Sequence, residues 1–109
     1  MTNGRVKGAN FERELCRAIM DGLGIEDVKR DIEQYRASLH GDIIGVDGWS
    51  IEAKRYASGT TYKPQWWEQC TAAADATGCQ PVLIWKYDRQ PIHCLVRMSS
   101  ISSDYAGMD

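Results

Sequence analysis

Gly41-Asp42-Ile43-Ile44-Gly45-Val46-Asp47-Gly48-Trp49-Ser50-Ile51-Glu52-Ala53-Lys54-Arg55 is the stretch on which the reading of this chain turns. Short apolar runs on either side of Asp47-Gly48 predict two antiparallel strands, with one carboxylate on the first and a carboxylate and an ammonium two residues apart on the second. Alternate strand residues share a face, so Glu52 and Lys54 point one way and Ala53 the other. A two-residue Asp47-Gly48 turn would set Asp42 opposite Ala53 and split the acids. A three-residue loop, Val46-Asp47-Gly48 with Gly48 left-handed, pairs Asp42 with Glu52, and this is the predicted register. Facing residues in such a pair have Cβ atoms about 4.5–5.5 Å apart, close enough for two carboxylates to share one divalent ion.

Without a cation, facing carboxylates repel, so one protonates or recruits a positive partner. Lys54 could be that partner. Asp42, Glu52 and Lys54 therefore read either as a metal site or as a surface ion-pair cluster, and the rest of the chain has to decide.

At 109 residues the chain is one domain with room for a single core. We expect residues 1–98 to form it and 99–109, serine-rich with few apolar anchors, to be a loosely docked or disordered tail. The polar N-terminus is no signal peptide and no apolar run is long enough to span a membrane, so a soluble, cytoplasmic protein is expected. Cys16, Cys70, Cys79 and Cys94 lack CxxC spacing and read as buried, reduced thiols, which suits a reducing compartment. A net charge of −2 argues against a simple electrostatic binder of nucleic acid. Residues 1–63, however, carry 10 Lys or Arg against 10 Asp or Glu, and the remainder only 3 against 5, so the basic clusters lie in the half that holds the acidic pair.

Upstream, Phe11, Leu15, Ile19 and Leu23 recur every four residues with Ala18 beside them, predicting a helix from about Ala9 to Gly22. Asn10 would cap it and place Glu12 in the first turn, where a carboxylate suits the helix dipole. Val28, Arg30 and Ile32 alternate as a strand within Asp27 to Tyr35. Arg36 to His40 is then a loop, in which His40 is either a ligand or phosphate contact or a plain exposed histidine. Downstream, Tyr56 to Tyr62 is a polar loop, and Pro64 opens a helix that closes at Gly78, with Gln69 off its tryptophan stripe and free to face the site. Val82 to Tyr87 is a central strand, Asp88 to Pro91 a turn, and Ile92 to Met98 a last strand. The order α-β-β-β-α-β-β suits an α/β fold with one mixed central sheet flanked by helices.

In this order Lys7-Gly8-Ala9-Asn10-Phe11-Glu12-Arg13-Glu14-Leu15, Gly41-Asp42-Ile43-Ile44, Ile51-Glu52-Ala53-Lys54 and Pro81-Val82-Leu83-Ile84 resemble the PD-(D/E)XK nuclease superfamily. Within it the chain is most similar to small Holliday junction resolvases of archaeal and phage type, over residues 5–98. Gly41 stands where the motif's name has proline. The resemblance implies a restriction-endonuclease-like fold and a Mg²⁺-dependent nuclease, with Mn²⁺ able to substitute. It implies that the protein works as a homodimer on branched double-stranded DNA in recombination and repair, in the host cytoplasm if phage-encoded. It makes Asp42, Glu52 and the backbone carbonyl of Ala53 metal ligands, Lys54 the catalytic lysine, and Glu12 the acid of the first helix. Arg13, Arg17, Arg36, Ser38, Arg55 and Lys63 are the candidate DNA contacts, with His40 and Gln69 as accessory residues. Two other readings stay open: an endonuclease for another DNA structure, and a non-catalytic DNA-binding or protein-interaction module on the same fold.

Overall fold

A computed structural model describes residues 4–32 and 41–108, the side chains of residues 105, 106 and 108 excepted. The hairpin adopts the three-residue register: β2 (Ile43–Ile44) pairs with β3 (Trp49–Tyr56) with Ile43 opposite Ile51. One step outward on this count, Asp42 lies across from Glu52. Gly48 turns the loop at φ +83°, and Trp49 N–H closes it on the Val46 carbonyl at 3.2 Å.

The ladder is interrupted at the acid. Asp42 N–H donates to the Ile51 carbonyl at 2.7 Å, and Ala53 N–H donates at 2.7 Å to the Asp42 side chain instead of a main-chain acceptor. This close crossing dictates the residue before Asp42. A Cβ on Gly41 would stand 2.5 Å from the Ile51 carbonyl oxygen and 2.7 Å from its nitrogen, so proline or any other side-chain-bearing residue would collide with backbone there.

Among the described residues five strands form one sheet in chain order: β1 (Lys29–Arg30), β2, β3, β4 (Gln80–Tyr87) and β5 (His93–Val96). β3 and β4 run parallel over eight residue pairs and every other neighbour is antiparallel. A parallel pair needs a crossover, and α2 (Pro64–Thr77) supplies it. Proline at its start needs no N–H partner, and Gly78 ends it in the left-handed conformation at φ +69°. Each helix covers one face. α1 (Gly4–Leu23) lays Phe11, Leu15 and Cys16 on Ile43, Ile51 and Ile84. On the other face α2 packs Trp66 and Cys70 against Leu83, Trp85 and Tyr87. The fold is the mixed α/β architecture expected, consistent with a restriction-endonuclease-like core.

Several local readings are corrected. α1 begins at Gly4 rather than Ala9, so Asn10 is not a cap: it sits inside the helix, accepting from Arg13 Nη1 at 3.0 Å. Glu12 is in the third turn, and the dipole argument for it lapses. The early start is held by tertiary contact, since Lys7 Nζ pairs with Asp88 at 3.1 Å in the turn after β4. The buried stripe runs through Cys16 with Ile19 and Met20 packed beside it, while Ala18 and Leu23, 63% exposed, face outward. Ile32 is also exposed, because β1 is only two residues long. Of the thiols, Cys16 and Cys70 are buried, Cys79 is half-buried and Cys94 is exposed on β5, an edge strand paired on one side only.

After β5 the chain forms two short 3-10 helices, Met98–Ser100 and Ser103–Met108, and Ser100 Oγ donates to Gln80 Oε1 at 2.6 Å. Among the described residues no helix is long and apolar enough to cross a membrane.

Candidate active site

Among the described residues no strand pairs with the 53–56 end of β3 on its β2 side, and a cleft of about 440 Å³ opens there. Gly4, Gly8 and Glu12 line it from successive turns of α1; Asp42, Lys54 and Tyr56 line it from the sheet. The two glycines have open space where a Cβ would be, which keeps that wall low.

Glu52, next in sequence to the lining residue Ala53, is 2% exposed. Burial is the main force on its carboxyl, followed by the charge of Asp42 and a hydrogen bond with the Asp42 carboxyl; Lys54 opposes them. Together they push its pKa from 4.5 to about 8. At neutral pH Glu52 therefore keeps its proton, the response expected of a carboxyl that is buried against another acid without a cation. Asp42 is also buried, and its orientation is fixed by the Ala53 N–H. Glu12 is raised as well, first by burial and further by Asp42, against the pull of Arg30, whose Nε lies 3.1 Å from Glu12 Oε1. Beneath the pair, the Cys70 thiol is pushed up to about 12 by burial and then by Glu52, so it is neutral.

These donors have a definite chemical character. Carboxylate oxygens from Asp42 and Glu52, with the main chain of Ala53 between Glu52 and Lys54, form a hard oxygen set that suits a small divalent cation. Among the described residues no group of three or more His, Cys, Asp or Glu forms a closed metal cage. The set is open, and Mg²⁺ tolerates this because it retains several waters.

The expected DNA contacts are scattered. Arg13 and Arg17 are exposed on α1 but do not line the cleft. Arg55 lines it, yet its guanidinium is engaged by Asp88 at 2.8 Å and by the Tyr56 carbonyl at 2.7 Å. Lys63 is exposed, with Nζ 5.9 Å from the ring centres of Tyr56 and Trp66. Gln69 is exposed on α2 and does not line the cleft. Arg36, Ser38 and His40 lie outside the described residues.

Two residues went unassigned in the sequence. Lys7 lines the cleft, and with Arg55 it holds Asp88 well below the usual carboxylate range. Arg30 fixes Glu12. Starting the helix at Gly4 would have pointed to the α1 wall, because Gly4, Gly8 and Glu12 recur every fourth residue and so share a face.

A family model described as "Phage putative PDDEXK endonuclease" matches residues 3–107. No curated protein and no solved structure gives a match. The family match takes in both acids of the buried pair, the lysine two residues on and the helix that carries Glu12, nearly the full length of the sequence, and so the chain belongs to the phage PD-(D/E)XK endonuclease family.

Proposed function

We propose that the protein is a Mg²⁺-dependent endodeoxyribonuclease that cuts branched DNA at four-way junctions, acting as a homodimer. The observation that carries the nuclease reading is the buried Asp42–Glu52 pair, of which Asp42 lines an open cleft together with Lys54, the residue that shares Glu52's strand face. A buried carboxyl that keeps its proton beside a second acid is poised to exchange that proton for a cation. The junction preference rests on the resemblance of residues 5–98 to resolvases. A dimer would present two such clefts to the two strands that must be cut.

The cation would be held by Asp42, Glu52 and the Ala53 carbonyl; once bound, it supplies positive charge to the phosphate and lowers the pKa of water. The protein's own groups do the rest. Asp42 is pre-oriented by its bond from Ala53 N–H, so little ordering cost remains. Glu52 gives up its proton. Lys54, lining the cleft, holds or deprotonates the attacking water or neutralises the phosphate, and the burial around Glu52 strengthens each of these interactions. Glu12, held by Arg30, faces the same space and can orient a water.

The test is nicking of a synthetic immobile four-way junction with Mg²⁺ or chelator, beside a linear duplex of the same sequence and a Glu52→Ala control. Symmetric, Mg²⁺-dependent cuts confined to the junction and absent in the variant are expected. Equal cutting of duplex would retain the nuclease and remove the junction preference. No cutting of any DNA, with no Mg²⁺ binding by calorimetry, would overturn the proposal.

A further inference from the structure

Tyr56 is an anomaly in this core. It closes β3 two residues beyond Lys54 on the same strand face, about 6–7 Å along, and lines the cleft, yet it is 47% exposed. One face of its ring lies flat on Trp66, with centroids 5.3 Å apart and planes 8° from parallel. Trp66 is 7% exposed and packs in turn on buried Tyr87 at 6.3 Å. The three rings form a ladder from the core to the rim of the cleft, with Tyr56 its outer rung.

The position of Lys63 tells which surface of Tyr56 is open. Its Nζ is 5.9 Å from both centroids, which are themselves 5.3 Å apart, so the ammonium sits beside the stack at mid-height and not over the outer ring face. No described residue stacks on that outer face. The residues that follow, Ala57 and Ser58, are small and exposed and give it no cover. A rigid aromatic face with a cation at its edge, next to a site for phosphate chemistry, matches how proteins hold unpaired nucleotides: the base stacks on the ring and the cation takes the backbone.

We propose that Tyr56 is a stacking platform for one unpaired nucleobase beside the scissile phosphate, with Lys63 contacting the adjoining phosphate. This rests on the nuclease reading and narrows its substrate. In continuous duplex both faces of every base are already occupied by neighbours, so a base must leave the stack to reach Tyr56. Strand exchange points, flaps and frayed ends supply such bases at low cost. Tyr56 thus selects DNA with a locally unpaired nucleotide, without reading its sequence, because every base has a π-face.

The experiment is equilibrium binding by fluorescence anisotropy, with Ca²⁺ in place of Mg²⁺ to prevent cutting, for wild type, Tyr56→Phe and Tyr56→Ala. The probes are a four-way junction, a flap carrying unpaired nucleotides, the same flap with abasic sites replacing those nucleotides, and a linear duplex. Tyr56→Ala should weaken flap or junction binding about 10- to 100-fold and leave duplex binding within about twofold. Tyr56→Phe should behave as wild type. The abasic flap should bind wild type as weakly as the intact flap binds Tyr56→Ala, with no further loss when the two changes are combined. A ring that merely braces Trp66 would lower thermal stability on truncation but would not respond to removal of the bases. Binding of DNA with equal affinity by wild type and Tyr56→Ala, or an equal loss on duplex and flap, would overturn the platform and leave the nuclease. Failure of wild type to bind any of the probes would overturn both.

Discussion

Replacing Glu52 with glutamine should make the metal-free protein more stable in mild alkali while removing its activity. Glu52 is 2% exposed against Asp42, and its pKa is raised from 4.5 to about 8, first by burial and then by the neighbouring acid. Between those two values the folded state holds a proton that the unfolded chain has released. The unfolding free energy therefore falls as pH rises through the window; the cost is absent below about pH 4.5 and complete above about pH 8. At about 1.4 kcal/mol per unit, the full loss is on the order of 5 kcal/mol, a large share of the 5–15 kcal/mol typical of a domain. Glutamine matches the shape of the protonated acid and its amide can still donate to Asp42, so Glu52→Gln should lack this slope. Urea unfolding followed by tryptophan fluorescence, in chelator at half-unit steps from pH 5 to 9, gives both curves. The expected result is a wild-type curve that falls relative to the variant across the window and lies below it by pH 8.5. Titrating groups remote from Glu52 are common to the two proteins and cancel in the difference. Parallel curves across the whole range would refute the argument, since Glu52 would then ionise in the folded protein at no cost.

Other substitutions probe different parts of the construction. Gly41→Ala should destabilise by about 2 kcal/mol or more, because its Cβ would meet the Ile51 backbone at 2.5 Å; chemical denaturation reads this, and an unchanged midpoint would contradict the close crossing. Lys54→Met should abolish cleavage while preserving the calorimetric Mg²⁺ isotherm, since its ammonium is not among the oxygen donors; loss of metal binding would move lysine into the metal's support. A thiol reagent should label Cys94 in the native protein, slowly at pH 8 because burial raises its thiol, and leave Cys16 and Cys70 untouched until denaturant is added, as mass spectrometry of digested protein would show.

What could be read in advance, and what could not, follows the range of the interactions. Hairpin register was legible because it is local: Gly48 permits the left-handed turn, the three-residue loop follows, and Asp42 then faces Glu52. The ends of α2 were equally legible from Pro64 and Gly78. The start of α1 was not, since the apolar stripe begins only at Phe11 and the first turns are secured by Lys7 reaching Asp88, 81 residues away. Arg30 on Glu12, Arg55 on Asp88 and Tyr56 on Trp66 are likewise contacts between elements, invisible to periodicity. Cys94 was misread because an apolar strand looks the same in sequence whether it lies inside the sheet or at its edge. The separation of Lys54 and Glu52 along one strand, and the tendency of one facing acid to keep its proton, were visible at once; the burial that is the main cause of the raised pKa of Glu52 was not, because it depends on α2 and β4 closing over that face.

That dependence has a consequence for the order in which the protein is made. Asp42, Glu52 and Lys54 leave the ribosome as a contiguous, locally paired hairpin, but β3 gains its parallel partner only after the α2 crossover and β4 have been synthesised and the loop between them has closed. Closing so long a connection is slow compared with forming a hairpin. A nascent or truncated chain ending before β4 therefore carries the acids exposed and ionised in water, with neither the burial nor the cleft that gives them their chemistry. The burial that raises Glu52 arrives only with the last third of the chain.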